Sequence, residues 1–335
     1  MELERIGLIV NPVAGGGAGL SIARAALRAL APRAVLVGAG EMGAAALPDA
    51  SFIVRVFDWS PQAGKARTTF LAERFAAEGV DALVVIGGDG TLADVALALH
   101  QAQNHALPLL GIGVGSANVG PLITCRGADV KRLAGARLAA HAFDGLIAGV
   151  NAAPRGLGFN DVVIGFTVLA TVNGRVVDVD AAQKMQGRNI PREPETIAAH
   201  DARVVKTSPR GETLVARGDQ AATIIVGFPD ARFYGKAIAG GVILAGLVGD
   251  PAGCLVCEHV LVRTRMDPAW YRRSEPVVSR YVGLDETERI EAWGLRDGAV
   301  LCADGNPLAI LRPSDRAHVT VQRALVNAIQ IEESE

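Results

Sequence analysis

The residues with the clearest chemical content are Gly87, Gly88, Asp89, Gly90 and Thr91. They follow the apolar run Val84-Val85-Ile86 and precede a helical pattern that opens Leu92-Ala93-Asp94-Val95. A buried parallel strand ending this way aims free backbone N–H groups and a helix start at whatever binds there. Glycines, having no Cβ, let a phosphate chain approach the main chain. Asp89 sets one carboxylate inside that cradle. An acid facing phosphates is unfavourable unless it handles a proton or a metal, so the pattern points to a phosphate-binding loop in which Asp89 does one or the other. The simpler reading, a strand-to-helix turn capped by Asp89 or Thr91, does not need three glycines.

Two further glycine-rich loops follow apolar runs. Asn11 to Gly19, with Gly15 and Gly16 in its middle, comes after Ile6 to Val10. It lacks the Lys-Ser/Thr of a P-loop, so it is no Walker site; its backbone suits nucleotide phosphates, and the alternative is a surface loop. The second is Gly115 to Gly120, with Ser116 and Asn118, after Pro108 to Val114. A third run, Gly38-Ala39-Gly40-Glu41-Met42-Gly43, fits a dinucleotide-binding fingerprint, with Asp58 further on. Pro48 and a new strand from Phe52 leave no room for the crossover helix, which needs at least ~10–12 residues, and this argues against a dehydrogenase.

The elements that must hold these loops alternate. Strands are expected at Ile6 to Val10, Ala34 to Val37, Phe52 to Phe57, Ala82 to Ile86 and Pro108 to Val114. Helices are expected at Leu20 to Leu30, from a Thr68 or Thr69 cap to near Gly79, at Leu92 to Ala102 and at Ala128 to Phe143. The pattern predicts an α/β protein with a doubly wound N-terminal domain, residues 1–145, and ligands at the C-terminal strand ends. After about Gly145 the runs become short and β-like, with turns at Asn173-Gly174 and Pro209-Arg210-Gly211, which predicts a β-rich C-terminal domain over 146–310. Residues 311–335 form a C-terminal segment that can return to the first domain.

Half of the 335 residues are hydrophobic, only 4% are aromatic, and the formal net charge is −2. Nothing in this balance favours a nucleic-acid or anionic-membrane partner. The charged start Met1-Glu2-Leu3-Glu4-Arg5 reads as a strand lead-in rather than a leader, and Ala237 to Gly249 is shorter than the ~20 apolar residues of a membrane helix. A cytoplasmic protein is the expectation. Of four cysteines only Cys254 and Cys257 are paired in sequence; without a second pair, and within an apolar run, they read as structural rather than as a metal site.

Gly-Gly-Asp-Gly-Thr after an apolar strand resembles the signature shared by NAD kinases, diacylglycerol and sphingosine-type lipid kinases and, more distantly, phosphofructokinases. All of these transfer phosphoryl groups to hydroxyls. Gly158-Phe159-Asn160-Asp161-Val162-Val163-Ile164 resembles the NAD kinase segment in which an Asn-Glu pair grips the dinucleotide, with Asp161 one methylene shorter. Phe233-Tyr234 and Ala239-Gly240-Gly241 resemble the Tyr and Gly-Gly stretch of that family, and Asp304-Gly305-Asn306 its late Asp-Gly pair. The similarity points to the divergent NAD kinase-like branch associated with acetoin catabolism.

The resemblance implies transfer of the γ-phosphoryl group of ATP, with Mg²⁺, to the ribose 2′-hydroxyl of NAD, giving NADP. On this reading Asp89 accepts the hydroxyl proton. Asn11, Gly15, Gly16, Gly87, Gly88, Gly90, Thr91, Gly115, Ser116 and Asn118 bind nucleotide and phosphate, while Asn160, Asp161, Tyr234, Gly240 and Gly241 bind the acceptor. No protein residue is assigned as a dedicated metal ligand. Lys184 and Arg188 are candidate phosphate contacts, with solvated surface charge as the simpler role. A homo-oligomer, dimer or tetramer, is expected. Gly115-Ser116-Ala117-Asn118 also resembles a lipid-kinase turn, so a lipid or other small-molecule hydroxyl kinase stays open, as does a non-catalytic nucleotide-binding regulator.

Overall fold

The apolar runs of the first half become a parallel sheet. A computed structural model of the chain describes residues 1–47, 52–115, 118, 120–172, 175–229, 244–258 and 279–332. The expected contributions of Ser116, Tyr234, Gly240, Gly241 and the Asn173-Gly174 turn lie outside these residues. The chain divides into two units, Met1–Asp144 with Ala324–Glu335, and Gly145–Arg323.

In the first unit, strands β1 (Arg5–Val10), β2 (Ala34–Gly38), β3 (Ile53–Phe57), β4 (Ala82–Gly87) and β5 (Leu109–Gly113) are all parallel, in the order β3-β2-β1-β4-β5. Strand β6 (Ile123–Arg126) adds to β5, and Ala328 of the last strand pairs with Leu109. The central strands are uninterrupted apolar runs because helices cover both faces. Helix α1 (Gly19–Leu30) buries Gly19, Ala23, Ala26 and Leu27, a helical stripe of small residues ending in one large one. On the other face α2 (Lys65–Ala77) buries Leu71 and Phe75. A Cβ at Gly7 would lie 2.7 Å from both the Phe75 and Leu83 side chains, so glycine there sets the close approach of α2 to β1.

Two expectations for this unit change. Thr68 is a buried interior residue of α2, which starts at Lys65 after Gly64, so neither threonine caps it. The stretch Ala128 to Phe143 is not an α-helix. It is a 3-10 segment, Gly127–Leu133, followed by strand β7 (Leu138–Val150). Gly135, at φ +69°, breaks the helical path, and pairing of the strand's second half overrides the high intrinsic helix propensity of its alanines, as tertiary context routinely does. The Gly38–Gly43 run forms only 3-10 turns, Gly40–Met42 and Ala44–Ala46, in keeping with the missing room for a crossover helix.

The second unit is strand-rich. Strands β8 (Ala153–Gly158), β9 (Asp161–Gly165), β10 (Thr167–Val172) and β11 (Arg175–Asp180) lead to a one-turn helix α4 (Ala181–Met185). Next come β12 (Arg203–Ser208), β13 (Gly211–Arg217), β14 (Thr223–Gly227) and, after the short helix α5 (Leu244–Val248), β15 (Ala252–Cys257). Strands β16 (Ser279–Leu284), β17 (Arg289–Trp293), β18 (Val300–Ala303) and β19 (Asn306–Ile310) follow, and β20 (Ala317–Ile331) carries the chain back into the first unit. Six of these form an antiparallel sheet in the order β16-β15-β14-β9-β18-β19. Its core includes Val162, Ile164, Ile224, Val226, Cys254, Val256 and Leu301. The apolar run Val162 to Val172 is divided at Phe166 into two strands, β10 pairing with β11 as a separate hairpin.

Candidate functional site

The order β3-β2-β1-β4-β5 reverses direction between β1 and β4, where a doubly wound sheet opens a crevice at its C-terminal edge. Asn11 follows β1 and Gly88-Asp89 follows β4, so the two loops flank that point. Helix α3 (Asp89–Gln101) starts at once after Gly88, whose carbonyl accepts the N–H groups of Thr91 at 2.9 Å and Leu92 at 3.2 Å. Asp89 is therefore the first helical residue, where the helix dipole favours a negative charge. It is half-buried, and its Oδ1 accepts the backbone N–H of Gly120 at 2.9 Å. A Cβ on Gly120 would sit 2.8 Å from that oxygen, so glycine is required for the contact.

Asn11 ties the neighbouring loops together. Its N–H donates to the Ile86 carbonyl at 2.8 Å and its side-chain amide donates to Thr91 Oγ1 at 2.8 Å. Gly15 and Gly16 are exposed at φ +60° and +62°, and a Cβ at Gly15 would meet the Val114 carbonyl at 2.6 Å. Gly88 and Gly115 also run close: a Cβ on Gly115 would be 3.1 Å from the Gly88 Cα. Asn118, in the left-handed region at φ +52°, accepts the Gly115 N–H at 2.8 Å and donates back to its carbonyl at 2.5 Å. Asn11, Gly15, Gly87 to Thr91, Gly115 and Asn118 thus share the C-terminal ends of β1, β4 and β5. Asp94, further along α3, turns toward α2; burial pushes its carboxyl up, partly offset by Lys65 at 3.8 Å.

In the second unit the turn at Phe159 to Asp161 is held by an acid 143 or more positions away. Asp304 Oδ2 accepts the Phe159 N–H at 2.7 Å, and Oδ1 accepts those of Asn160 at 2.8 Å and Asp161 at 3.0 Å. The Asp304 N–H returns a bond to the Asp161 carbonyl at 3.0 Å, and Phe228 N–H donates to the Asn160 carbonyl at 3.1 Å. Asp304 and Gly305, at φ +47° and +73°, form the two-residue turn between β18 and β19. Asn160 is half-exposed, with no side-chain hydrogen bond to the described residues, whereas Asp161 is 4% exposed. The two neighbours therefore differ: Asn160 presents an amide and Asp161 is a buried residue. The sequence offered the Asp-Gly turn as a signal, but not its grip on residue 160.

Cys254 and Cys257 lie on opposite faces of β15, in different apolar clusters. Three positions along a strand reverse the side chain, so the pair is not a chelating unit. Among the described residues no group of three or more His, Cys, Asp or Glu side chains could hold a metal ion, and no helix is long and apolar enough to cross a membrane.

Residues 5–124 match the diacylglycerol kinase catalytic domain family. An uncharacterized protein of Archaeoglobus fulgidus is 35% identical over 254 residues, which are 75% of this chain and 74% of that protein. Yeast NADH kinase, solved with NADH, shares the fold at a TM-score of 0.54 and 12% identity, over 100% of this chain and 84% of the kinase. A candidate diacylglycerol kinase from Bacillus anthracis does so at 0.50 and 16%, over 99% and 98%. The fold is thus of kinase type, with a parallel-sheet N-terminal unit and a strand-rich second unit. The chain belongs to the family of the Archaeoglobus protein, within the NAD kinase/diacylglycerol kinase-like superfamily.

Proposed function

We propose that the protein is a phosphotransferase that moves the γ-phosphoryl group of ATP to the adenosine ribose 2′-hydroxyl of NAD, giving NADP. The observation that carries this reading is Asp89 at the start of α3, steadied by the Gly120 N–H and surrounded by glycine-rich strand ends. ATP phosphates lie over the loops at Asn11 and Gly87 to Thr91, where N–H groups and a helix start favour anions. The 2′-oxygen attacks the γ-phosphorus, the bond to the bridging oxygen breaks, ADP leaves, and Asp89 takes the hydroxyl proton. A carboxylate is a weak base for an alcohol, but in a loose transition state the proton need leave only late.

Mg²⁺ is implied with ATP and neutralises charge on the phosphate oxygens. It keeps several waters and binds through one or two carboxylates plus phosphates rather than an all-protein cage. A single acid beside a phosphate cradle fits that donor set. Asn160 supplies an acceptor contact and Asp161 supports it from within the strand.

One observation favours a second reading: the matched family over residues 5–124 is that of diacylglycerol kinase catalytic domains. There the acceptor is a lipid or other small alcohol and Asp89 keeps its role. Incubating purified protein with γ-labelled ATP, Mg²⁺ and, separately, NAD, NADH and diacylglycerol vesicles tests both. The first reading expects label in NADP or NADPH; label in lipid alone replaces it with the second.

A further inference from the structure

Helix α4 places one cation where a simple surface role does not account for it. The Asp180 carboxylate caps α4, accepting the Gln183 N–H at 2.8 Å, and is itself paired with Arg192 at 2.9 Å. The helix packs on β18 and β19, and Lys184 Nζ donates to the Gly305 carbonyl at 3.0 Å. An ammonium has three hydrogens to donate; this is the bond Lys184 makes among the described residues, and no carboxylate lies within ion-pair distance there. A lysine with nothing to bind normally extends its head into water. This one is half-buried, and burial pulls its pKa below the usual lysine value. Arg188 is the contrast: it is exposed and bonds Gln186, a surface role.

The Asp304-Gly305 turn links Lys184 to Asn160. Asp304 holds the backbone of Asn160 while the next carbonyl, of Gly305, receives Lys184. Asn160 is fixed at both its N–H and its carbonyl, yet its amide side chain makes no bond to the described residues. The Asp304-Gly305 turn therefore joins an amide and an ammonium that have donors to spare among the described residues, a set suited to phosphate oxygens.

We infer that Lys184 binds a phosphate or diphosphate group of the acceptor beside Asn160. This rests on the reading of Asn160 as an acceptor contact. A dinucleotide supplies such a diphosphate; an uncharged diacylglycerol does not.

The test labels lysines of the wild-type full-length chain with an acylating reagent and reads Lys184 by mass spectrometry, with and without inorganic pyrophosphate or NAD. Protection of Lys184 by both, several-fold or more, is expected. In parallel, Lys184→Met should raise the KM for NAD tenfold or more and Lys184→Arg should recover most of it, with nicotinamide riboside binding unchanged. Equal labelling under all conditions, or wild-type NAD affinity in Lys184→Met, would assign Lys184 to propping Gly305 alone. If Lys184→Met fails to fold, labelling of the wild type decides. Protection by pyrophosphate without protection or phosphorylation of NAD would keep the anion site and reject NAD as the acceptor.

Discussion

Asp89 and Gly120 are joined by a backbone N–H donated to a carboxylate oxygen at 2.9 Å, and a Cβ on Gly120 would stand 2.8 Å from that oxygen. The loop after β5 therefore sets the direction of the acid that starts α3.

Gly120→Ala tests this relationship. The atom in the way is the tip of a side chain, so the protein yields by turning the carboxylate rather than by unfolding. Phosphoryl transfer should fall ~10²-fold, the usual penalty for an Å-scale misplacement of a reacting group. The thermal midpoint should move by less than about 3 °C, corresponding to under ~1 kcal/mol. Wild-type turnover in this variant would show that the contact does not position Asp89.

Asp304→Asn should weaken the second unit. The carboxylate serves three N–H groups with two oxygens, and an amide offers one oxygen while turning an NH₂ toward a donor. Losing a charge-assisted bond costs ~1.5–3 kcal/mol. The expected signs are a thermal midpoint lower by several degrees and faster hydrogen exchange at Asn160 and Asp161. Unchanged exchange there would mean that Asp304 does not hold the turn.

Much of this was legible in the sequence, and the gaps have physical causes. Val84, Val85 and Ile86 are fully buried, as an uninterrupted apolar run before Gly87 requires, and the α/β class with its strand-rich second half follows from such runs. Ala128 to Phe143 misled because alanine is a strong helix former locally, and strand pairing, which local propensity does not report, overrides it. The Asp304 clamp was invisible because it closes across more than 140 residues, and no local pattern encodes such a contact. Lys184 looked like solvated charge because its burial depends on α4 packing against a hairpin far along the chain.

The division of labour between Asn160 and Asp161 is also testable. Asn160→Ala removes the amide without touching the clamped backbone, so the KM for NAD should rise several-fold to tenfold, with a smaller effect on ATP. Asp161→Glu adds a methylene at a position only 4% exposed, which should cost ~1–3 kcal/mol of stability without improving NAD use. Better NAD use with unaltered stability would contradict the buried placement.

All four cysteines are buried, and burial pushes the Cys254 thiol up to about 12 and those of Cys257 and Cys125 up to about 11. A thiol reagent at pH 8 should therefore label none in the native protein and all four after unfolding, because the thiolate is the reactive form. The double substitution Cys254→Ser with Cys257→Ser should leave phosphoryl transfer unchanged. Stoichiometric zinc in the purified wild type, lost in the double variant, would overturn the structural role of the pair.

The most direct measurement is single-turnover phosphoryl transfer from ATP to NAD by wild-type protein and Asp89→Asn, followed as NADP formed. The substitution keeps the shape of the side chain and removes the proton acceptor. The account predicts NADP from the wild type and a rate lower by ~10²–10⁴-fold in the variant, with the thermal midpoint little changed. NADP formation at the wild-type rate by Asp89→Asn would contradict it.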